Sequence, residues 1–564
     1  MFGGFRPLPA RIAPWIQRQR TDDPTPRRRW HATAARLLVI ATTTFAATAI
    51  AFAAGPPIAY RLGEIPARDL RVRVGFELVN GPRTEATQDE TEAAQPIIEK
   101  YPAGIALVKR GKPITSEQLS LLRDEERAYR ASLGILDRVR RAIALFAIIA
   151  LLTVVLALYV SRFQIALAAD LQRIVRVCIL AVATLAIGIV LSKPPWYALL
   201  VPMAVTAMVL TLAYNPPFAL LMSFSLALVA TLALGSGLEA FLVQMGGLAT
   251  AILLLRNVRT RPRIVQVAAG AGLACLAMTF ATGLLCSQGW KFMAFDAGRN
   301  LLWFLLGGFV LTGSLPIVER AFAIVTDISL VELANSSHPL LQELIRRAPG
   351  TYTHSITVAT LAESAAEAIG ANTLVVRVGS YFHDVGKMLK PQYFVENQDG
   401  HNRHDDLEPA LSTLVIVGHV KDGVALAQQH GLPKPVVDLI QQHHGTTLVE
   451  CFYREALRSS ASNAQVLEST FRYPGPKPHS REAAIVMLAD AVESASRSLT
   501  SPTPSSLRKL VRDLSMRRLL DGQFEASGLT LTELSRIEES LGKSISALFH
   551  ARIRYPNLPD RKAS

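Results

Sequence analysis

Long apolar runs fill residues 36–318 of this 564-residue chain and restrict its fold more than any other feature. A helix that crosses a bilayer needs about 20 mainly apolar residues, and its backbone groups must be satisfied within the helix. Residues 319–564 instead have the mixed polarity of a soluble domain. The sequence therefore predicts an all-α protein, with a polytopic transmembrane helical bundle followed by a separate α-helical domain.

Eight apolar segments are predicted to span the membrane. Residues that break helices separate several of them, at Lys193-Pro194-Pro195, Asn215-Pro216-Pro217 and Gly235-Ser236-Gly237. No chain of ionisable residues runs through the spans, which favours a scaffold over an ion pathway. The predicted spans are residues 37–54, 142–160, 174–191, 196–213, 217–234, 238–255, 265–286 and 300–318.

Basic residues predict how the bundle is oriented. The first 36 residues contain eight arginines, and residues 256–263 contain four more. Such segments are retained on the cytoplasmic face, where anionic lipid attracts them. We therefore interpret the net charge of +14 as a topology signal, with the basic segments in contact with membrane lipid. No basic stripe with interleaved aromatic residues indicates a nucleic-acid polymer as partner. Eight spans predict a multi-pass protein of the cell inner (plasma) membrane, with its C-terminal domain in the cytoplasm.

Two features of the N-terminal part have more than one interpretation. The first span, residues 36–55, is an uncleaved anchor or a signal peptide cut near Ala51-Phe52-Ala53. Residues 56–140 are predicted as a small extracytoplasmic α/β segment, with a strand and turn over residues 108–114 and a helix over residues 116–140. It is either a sensor for an unknown extracytoplasmic ligand or a solvated stalk. The four cysteines suggest no disulfide framework.

Histidine is concentrated in the second part of the chain. Ten of the twelve histidines fall between His338 and His479. Asp490 interrupts an apolar helical face, where an unpaired carboxylate is costly to bury and a bound cation would offset the cost. Imidazole and carboxylate together suit Fe, Mn, Zn or Ni. An ordered set of seven residues is thus predicted to bind metal: His354, His383, Asp384, His419, His443, His444 and Asp490.

The motifs around these residues resemble a known family. They lie at residues 348–355, 381–387, 394–398, 418–423 and 442–446. Together they resemble the HD hydrolases of the seven-transmembrane-receptor HD family, which is similar to the PgpH-type cyclic-di-AMP phosphodiesterases. The resemblance covers about residues 320–545, and the membrane plan also fits. The outer segment is shorter than is usual in that family, which puts ligand sensing in doubt.

The resemblance implies a two-metal centre and a reaction. His354, His383, Asp384 and Asp490 would hold one divalent transition metal, and Asp384, His419, His443 and His444 the other, with Mn or Fe expected. The substrate would be a cyclic dinucleotide, cyclic-di-AMP, opened to pApA. Lys387 is a candidate phosphate contact or a solvated lysine.

Four polar residues and two alternative functions remain open. His401, His404, Asp405 and Asp406 either approach the substrate or lie in a solvated loop. An HD hydrolase acting on cyclic-di-GMP or a guanosine polyphosphate is the first alternative, although no Gly-Tyr-Pro tripeptide follows His443-His444. A non-catalytic nucleotide-binding membrane receptor is the second, although all seven ligand positions are filled.

The predicted domain order follows from these segments. A homodimer through the linker helix is left open. The order is an Arg-rich cytoplasmic tail (1–35), the first transmembrane helix (36–55), the extracytoplasmic segment (56–140), a seven-helix transmembrane region (141–318), a linker helix (319–349), the HD phosphohydrolase domain (350–500) and a helical C-terminal extension (501–564).

Overall fold

The computed structural model describes residues 26–55, 60–80, 97–256, 258–398, 400–459, 466–499 and 502–550. Parts of five predicted segments lie outside these ranges: residues 1–25 of the tail, residues 56–59 and 81–96 of the outer segment, residue 257 of the seven-helix region, residues 399, 460–465 and 500 of the HD domain, and residues 501 and 551–564 of the C-terminal extension. The chain forms two compact units, Met1–Ile324 and Val325–Ser564. We call them the membrane unit and the HD unit.

The membrane unit places one helix at each of the eight predicted spans. Two of these helices, with 14 and 17 residues, are shorter than the others. The helices are α1 (Pro26–Ala53), α2 (Ser116–Ser132), α3 (Ile135–Phe163), α4 (Ile165–Ala169), α5 (Leu171–Leu191), α6 (Leu200–Ala213), α7 (Pro216–Ala233), α8 (Leu238–Leu254), α9 (Arg261–Leu285) and α10 (Trp290–Phe322).

Seven helices in the described part of the chain are long and apolar enough to cross a membrane, by length and composition. Six of them belong to the membrane unit: α1, α3, α5, α7, α9 and α10. The seventh, Pro409–Gln429, lies in the HD unit and carries the buried His419. We interpret it as a core helix, because it packs against its own unit and contains Lys421 and Asp422.

Helices of the membrane unit differ in how they are surrounded. Most of α6 is buried against α5, α7, α8 and α10. A side chain at Gly247 would overlap the Phe304 ring, and one at Gly308 would overlap Ala268, so small residues set the close packing of α8, α9 and α10. Helix α3 instead exposes large apolar side chains such as Phe146 and Leu151. A surface of this kind fits hydrocarbon surroundings.

The described residues of the outer segment form two small antiparallel sheets. Strand β1 (Leu70–Arg71) pairs with β4 (Ala106–Val108), and β2 (Phe76–Asn80) pairs with β3 (Ile97–Tyr101) with Glu77 opposite Lys100. The predicted strand and turn near residues 108–114 correspond to β4 and the turn after it. The helix predicted over residues 116–140 is two helices, because α2 ends at Ser132 and Gly134 caps the start of α3.

The regular secondary structure in the described residues of the HD unit is helical, apart from an isolated bridge between Leu448 and Arg472. Five short 3-10 helices accompany the α-helices, at Val385–Leu389, Pro391–Tyr393, Val395–Asn397, Arg403–Asp406 and Glu468–Phe471. The α-helices are α11 (Asp327–Leu333), α12 (Pro339–Arg347), α13 (Pro349–Ile369), α14 (Thr373–Phe382), α15 (Pro409–Gln429), α16 (Lys434–Gln442), α17 (Glu450–Ser459), α18 (Arg481–Ser496), α19 (Pro504–Leu520) and α20 (Leu531–His550).

The predicted linker helix over residues 319–349 is not one helix. Ala323 ends α10 in the left-handed conformation, with a φ of 51°. Thr326 then caps α11, and His338 caps α12 just before Pro339. A left-handed residue and a proline both interrupt helical hydrogen bonding, which explains the three pieces.

Two apolar clusters form the core of the HD unit. One surrounds α18, whose residues 485–489 are almost fully buried, and the other joins α11, α12, α14, α15 and α16. Helices α13, α14 and α16 contribute to both clusters. The predicted C-terminal extension supplies α19 and α20 to the first cluster, through residues such as Val511 and Ile537. These helices are therefore part of the core that supports α18.

Candidate metal centre

The HD unit brings all seven predicted ligands into one buried cluster. Each ligand comes from a helix or a helix end: His354 from α13, His383-Asp384 from the end of α14, His419 from α15, His443-His444 from the end of α16 and Asp490 from α18. They form two groups of four whose nitrogen and oxygen atoms lie within 4.8 Å of one another in each group. Asp384 belongs to both groups: one contains His354, His383 and Asp490, and the other His419, His443 and His444.

A glycine allows the second group to assemble. A Cβ atom at Gly386 would overlap the carbonyl oxygen of His419 and approach the backbone nitrogen of Gly423. Only glycine permits this close approach between α15 and the chain after Asp384. The contact leaves His419 Nε2 3.2 Å from Asp384 Oδ1. Close packing against α15 thus explains why residue 386 is a glycine.

Backbone carbonyls orient three of the histidines. The Nδ1 atoms of His383, His419 and His443 lie 2.7, 2.5 and 2.8 Å from the carbonyl oxygens of Ser380, Ile416 and Ile440. In each case Nδ1–H donates to the carbonyl three residues earlier, and Nε2 is left with its lone pair toward the cluster. Fixing the tautomer in this way is typical of histidines that bind metal.

A carboxylate orients the fourth histidine. His354 Nδ1 lies 2.6 Å from Glu493 Oε2, and His354 Nε2 lies 3.1 Å from Asp490 Oδ1. Arg497 holds the other oxygen of Glu493 through Nε at 2.8 Å. A carboxylate behind a ligating imidazole increases its basicity and fixes its ring. Glu493 and Arg497 therefore support the His354 side of the cluster.

The donors at the centre fit a bound cation. His383 Nε2 and both carboxylate oxygens of Asp384 are buried and have no hydrogen bond of acceptable geometry in the described structure. His383 and Asp384 are essentially inaccessible to solvent. Unsatisfied buried donors and acceptors of this kind are costly, and metal coordination would satisfy them. Imidazole nitrogen with carboxylate oxygen is the donor set of transition metals.

Charge in the cluster shifts the pKa values of its members in both directions. Burial favours the neutral acid of Asp384 and Asp490, but the neighbouring histidines outweigh it and hold both pKa values well below the usual range. Burial also disfavours the imidazolium of His354, yet bonds to Asp384, Asp490 and Glu493 raise its pKa. For His444, burial and the neighbouring His443 lower the pKa. Neutral imidazole and ionised carboxylate are the forms that bind metal.

Lys387 lies between two carboxylates and is not a solvated lysine. Its Nζ atom is 2.7 Å from Asp384 Oδ2 and 3.1 Å from Glu396 Oε1, and its side chain is only 13% exposed. These carboxylates outweigh burial and raise its pKa, so the ammonium stays charged. Glu396 also accepts a hydrogen bond from Thr351 Oγ1 at 2.9 Å. The ammonium therefore lies at the edge of the cluster with a fixed position.

The loop residues left open by the sequence do not join the cluster. His401 and Asp406 pair with each other at 3.2 Å, with side chains 70% and 73% exposed. His404 is buried, but it contacts the carbonyl oxygen of Tyr393 and packs against Phe452. Asp405 is exposed and accepts a hydrogen bond from Asn402. These contacts favour loop-fixing roles.

Sequence reasoning missed three residues beside the cluster. Glu493 lies three positions after Asp490 on α18, and this helical spacing was the signal that could have placed it on the same face. Glu396 lies in the motif at residues 394–398, which resembles the HD family but indicates no role for this residue. Tyr473 stacks on His444 with ring centroids 4.3 Å apart, and nothing in its local sequence indicates this.

Each unit contains a region that matches a known protein family. Residues 139–326 match the family described as 7TM receptor with intracellular HD hydrolase, and residues 351–495 match the HD domain. The chain is 39% identical over 368 residues to cyclic-di-AMP phosphodiesterase PgpH of Bacillus subtilis, and 38% identical over 372 residues to the protein of that name from Listeria monocytogenes. These matches cover 63% and 64% of this chain but 51% of each relative, so the chain spans about half the length of these relatives.

Two solved structures are also similar to the HD unit. They are crystal structures of the L. monocytogenes phosphodiesterase PgpH HD domain, one of them in complex with cyclic-di-AMP. Both are 44% identical to this chain, cover 38% and 39% of it and all of their own chains, and have TM-scores of 0.36 and 0.37. On the family matches and the apolar helices, the protein is membrane-anchored; residues 139–326 are similar to the seven-transmembrane-receptor HD family, and residues 351–495 form an HD domain.

Proposed function

We propose that this protein is a metal-dependent phosphodiesterase that hydrolyses a cyclic dinucleotide, and that cyclic-di-AMP is opened to linear pApA. The observation that carries the proposal is the pair of four-ligand groups that share the buried Asp384. Two neighbouring cation sites with a shared carboxylate are the arrangement used for phosphoryl displacement by water. The names of the similar PgpH proteins support the choice of substrate.

The proposed ligands divide by group. His354, His383, Asp384 and Asp490 would hold one ion, and Asp384, His419, His443 and His444 the other. Mn or Fe is the proposed identity, since mixed nitrogen and oxygen donors suit these metals better than Mg or Ca. When bound, the two ions would supply an activated water and offset charge that develops on the phosphoryl oxygens.

The chain's own residues would then position and balance the reaction. Hydrolysis forms a bond from the water oxygen to phosphorus and breaks the bond from phosphorus to the ribose 3′ oxygen, which leaves with a proton. Lys387 keeps its ammonium at the edge of the cluster and is proposed to balance charge on the phosphoryl group. Glu493 keeps the His354 ring in place throughout. Tyr473 covers one face of His444 and limits access of water there.

We also propose the placement of the chain. The basic segments support an HD unit in the cytoplasm and an outer segment outside the inner membrane. The proposed boundaries remain those of the tail, outer segment, seven-helix region, HD domain and extension, with the linker region now divided into the end of α10, α11 and α12. A homodimer and an extracytoplasmic ligand are not needed for the proposed chemistry.

The test is turnover by the full-length protein in lipid nanodiscs. The protein would be stripped of metal, loaded separately with Mn or Fe(II), and offered cyclic-di-AMP, cyclic-di-GMP and guanosine polyphosphates. We expect conversion of cyclic-di-AMP to pApA, identified by mass spectrometry, and its loss in Asp384→Ala. The matched control is Asp513→Ala, which removes an exposed carboxylate from α19 and should keep full activity.

The other outcomes are informative. Turnover of a different nucleotide would retain the metal chemistry and reject cyclic-di-AMP as substrate. Nucleotide binding without turnover by the metal-loaded protein would favour the receptor function. Full activity in Asp384→Ala would reject the proposed centre.

A further inference from the structure

A polar cavity lies wholly within the membrane unit. Its volume is about 710 Å³, within the range of sites that bind small molecules. It opens where the chain before β1 meets the ends of α8, α9 and α10, on the side that we propose as extracytoplasmic. Its walls carry charged and amide side chains, among them Glu64, Glu239, Gln244 and Asn300. Neither the family matches nor the proposed reaction gives this cavity a role.

The cavity contains a buried amide that lacks a partner. Gln244 lies on α8, is only 6% exposed and lines the cavity. Its Oε1 atom has no hydrogen-bond partner among the described residues. A buried amide oxygen without a donor is costly, and a polar side chain inside a membrane helix indicates a binding function. Gln244 therefore needs a donor that the cavity's occupant can provide.

The arginines nearest the cavity are already paired. Arg61 Nη1 lies 2.6 Å from Asp296 Oδ1, and Arg299 pairs with the same carboxylate. Both guanidinium groups also lie over the ring of Tyr197, 5.0 and 4.9 Å from its centroid. Arg68 lines the cavity as well, but it is exposed at the rim. This arrangement does not favour an anionic occupant.

Two carboxylates in the cavity lack such a partner. Glu64 accepts a hydrogen bond from the backbone nitrogen of Arg61 at 2.8 Å, and within the described ranges neither it nor Glu239 forms an ion pair. Burial, with a smaller contribution from Glu239, raises the pKa of Glu64 to about 7, although the backbone hydrogen bond and the charge of Arg61 oppose the rise. A positive charge nearby would relieve both effects. The cavity can thus take a further cationic group beside Glu64, with the exposed Glu239 also in its lining.

A metal ion does not meet this need as well as an organic cation. The groups of residues in the described structure that converge closely enough to hold a metal are those around Asp384, and none includes Glu64 or Glu239. A cavity of about 710 Å³ is also far larger than an ion. We propose that this cavity binds a small organic cation of the amine or guanidine class. The charge of the cation would lie at Glu64 and Glu239, and one of its N–H groups would donate a hydrogen bond to Gln244 Oε1.

The experiment compares cations and a matched anion on the full-length protein in lipid nanodiscs. Putrescine, L-argininamide and agmatine are the cationic probes, and succinate is an anion with the same carbon count as putrescine. We expect saturable equilibrium binding of at least one amine, which succinate does not compete away. The double variant Glu64→Gln/Glu239→Gln should weaken that binding about tenfold or more, because hydrogen bonds to charged groups are lost.

Two further variants make the test decisive. Gln244→Leu should weaken amine binding about tenfold without exposing polar surface to lipid. Glu77→Gln/Glu117→Gln removes the same charge from exposed sites of the outer segment and should leave binding unchanged. Size-exclusion profiles and metal content of the HD unit confirm that each variant is folded. Lack of binding by all three cations, binding of succinate, or unchanged amine binding in the Glu64→Gln/Glu239→Gln protein would overturn the proposal.

Discussion

Glu64 of the membrane unit and Asp384 of the HD unit respond to burial in opposite ways. In the membrane unit, burial dominates at Glu64 and raises its pKa to about 7. In the HD unit Asp384 is buried more completely, but His383 and Lys387 outweigh burial and hold its pKa well below the usual range. The comparison shows that depth alone does not decide whether a carboxylate is ionised; the charges placed around it do.

Apolar side chains show the same division. Helix α3 of the membrane unit exposes most of its apolar surface, whereas residues 485–489 of α18 in the HD unit are almost fully buried. Lipid can cover the first surface, so membrane helices rely on small-residue contacts such as that of Gly247 with Phe304. The second surface must be covered by protein. A core built in this way supports a charged cluster in its centre.

Metal removal should have the largest effect on the contrast between the two units, because it destabilises the HD unit and leaves the membrane unit unchanged. Any ligand that binds the folded state alone stabilises it by about 4 kcal/mol when present at 1,000 times its dissociation constant. We therefore expect removal of two ions to lower the stability of the HD unit by up to about 8 kcal/mol. Hydrogen exchange followed by mass spectrometry would show faster exchange in α18 and no change in α6.

The control for this experiment is Asp384→Ala. It lacks the shared ligand, so added metal should no longer slow exchange in α18. Equal metal protection of wild type and variant would show that the ions bind elsewhere.

Local sequence signals were sufficient for much of the fold. Apolar runs and turn residues located a helix at each of the eight predicted spans, because these signals are carried by neighbours in the chain. The His and Asp motifs identified seven candidate ligands, and the structure brings all seven into one cluster. The start of α3 was missed because its first turn is charged and only Gly134 marks the boundary.

What the sequence could not supply depends on contacts between distant segments. Glu396 approaches Lys387, and Tyr473 stacks on His444, only because separate segments of the HD unit pack together. The burial of Lys387 likewise follows from tertiary packing, and a lysine at a helix end is otherwise expected to be solvated. The cavity around Gln244 is also invisible in the sequence, because its walls come from five parts of the membrane unit.

The second prediction tests the difference between the apolar surfaces. Leu488→Ala on α18 should cost about 2–5 kcal/mol, because Leu488 is 1% exposed and its removal leaves a cavity. Leu151→Ala on α3 is the matched substitution at a side chain that is 65% exposed. It should change stability by less than about 0.5 kcal/mol in nanodiscs. Local hydrogen exchange in the two helices measures both effects. A large effect at Leu151 would show that protein, rather than lipid, covers that face.

The third prediction concerns the carboxylate behind His354. Glu493→Gln keeps the size of the side chain but removes the charge that fixes the ring, so metal affinity should fall about 10–100-fold. Competition with a chelator would measure affinity, and Glu539→Gln at an exposed site is the control. Glu493→Asp should recover part of the loss if the charge matters. Unchanged affinity in Glu493→Gln would reduce Glu493 to a packing residue.

The smallest expected effect is the pH response of Glu64. Its pKa rises from 4.5 to about 7 in the folded protein, so the folded state binds more protons than the unfolded state between these values. Stability from this group is therefore complete below about pH 4.5 and is lost as pH rises through about 7. After solvent screening we expect a loss of about 1 kcal/mol. Asp384, with its lowered pKa, has the opposite sign and loses its contribution only as pH falls into the acid range.

Glu64→Gln isolates this effect because glutamine stays neutral at every pH. The difference in apparent melting temperature between variant and wild type should grow from near zero at pH 5 to a few degrees at pH 8. Glu77→Gln, at an exposed site of β2, should keep the wild-type pH response. A bound amine favours the ionised form of Glu64, so putrescine should reduce the difference at pH 8. If the difference is the same at both pH values, burial does not govern Glu64, and the contrast with Asp384 is lost.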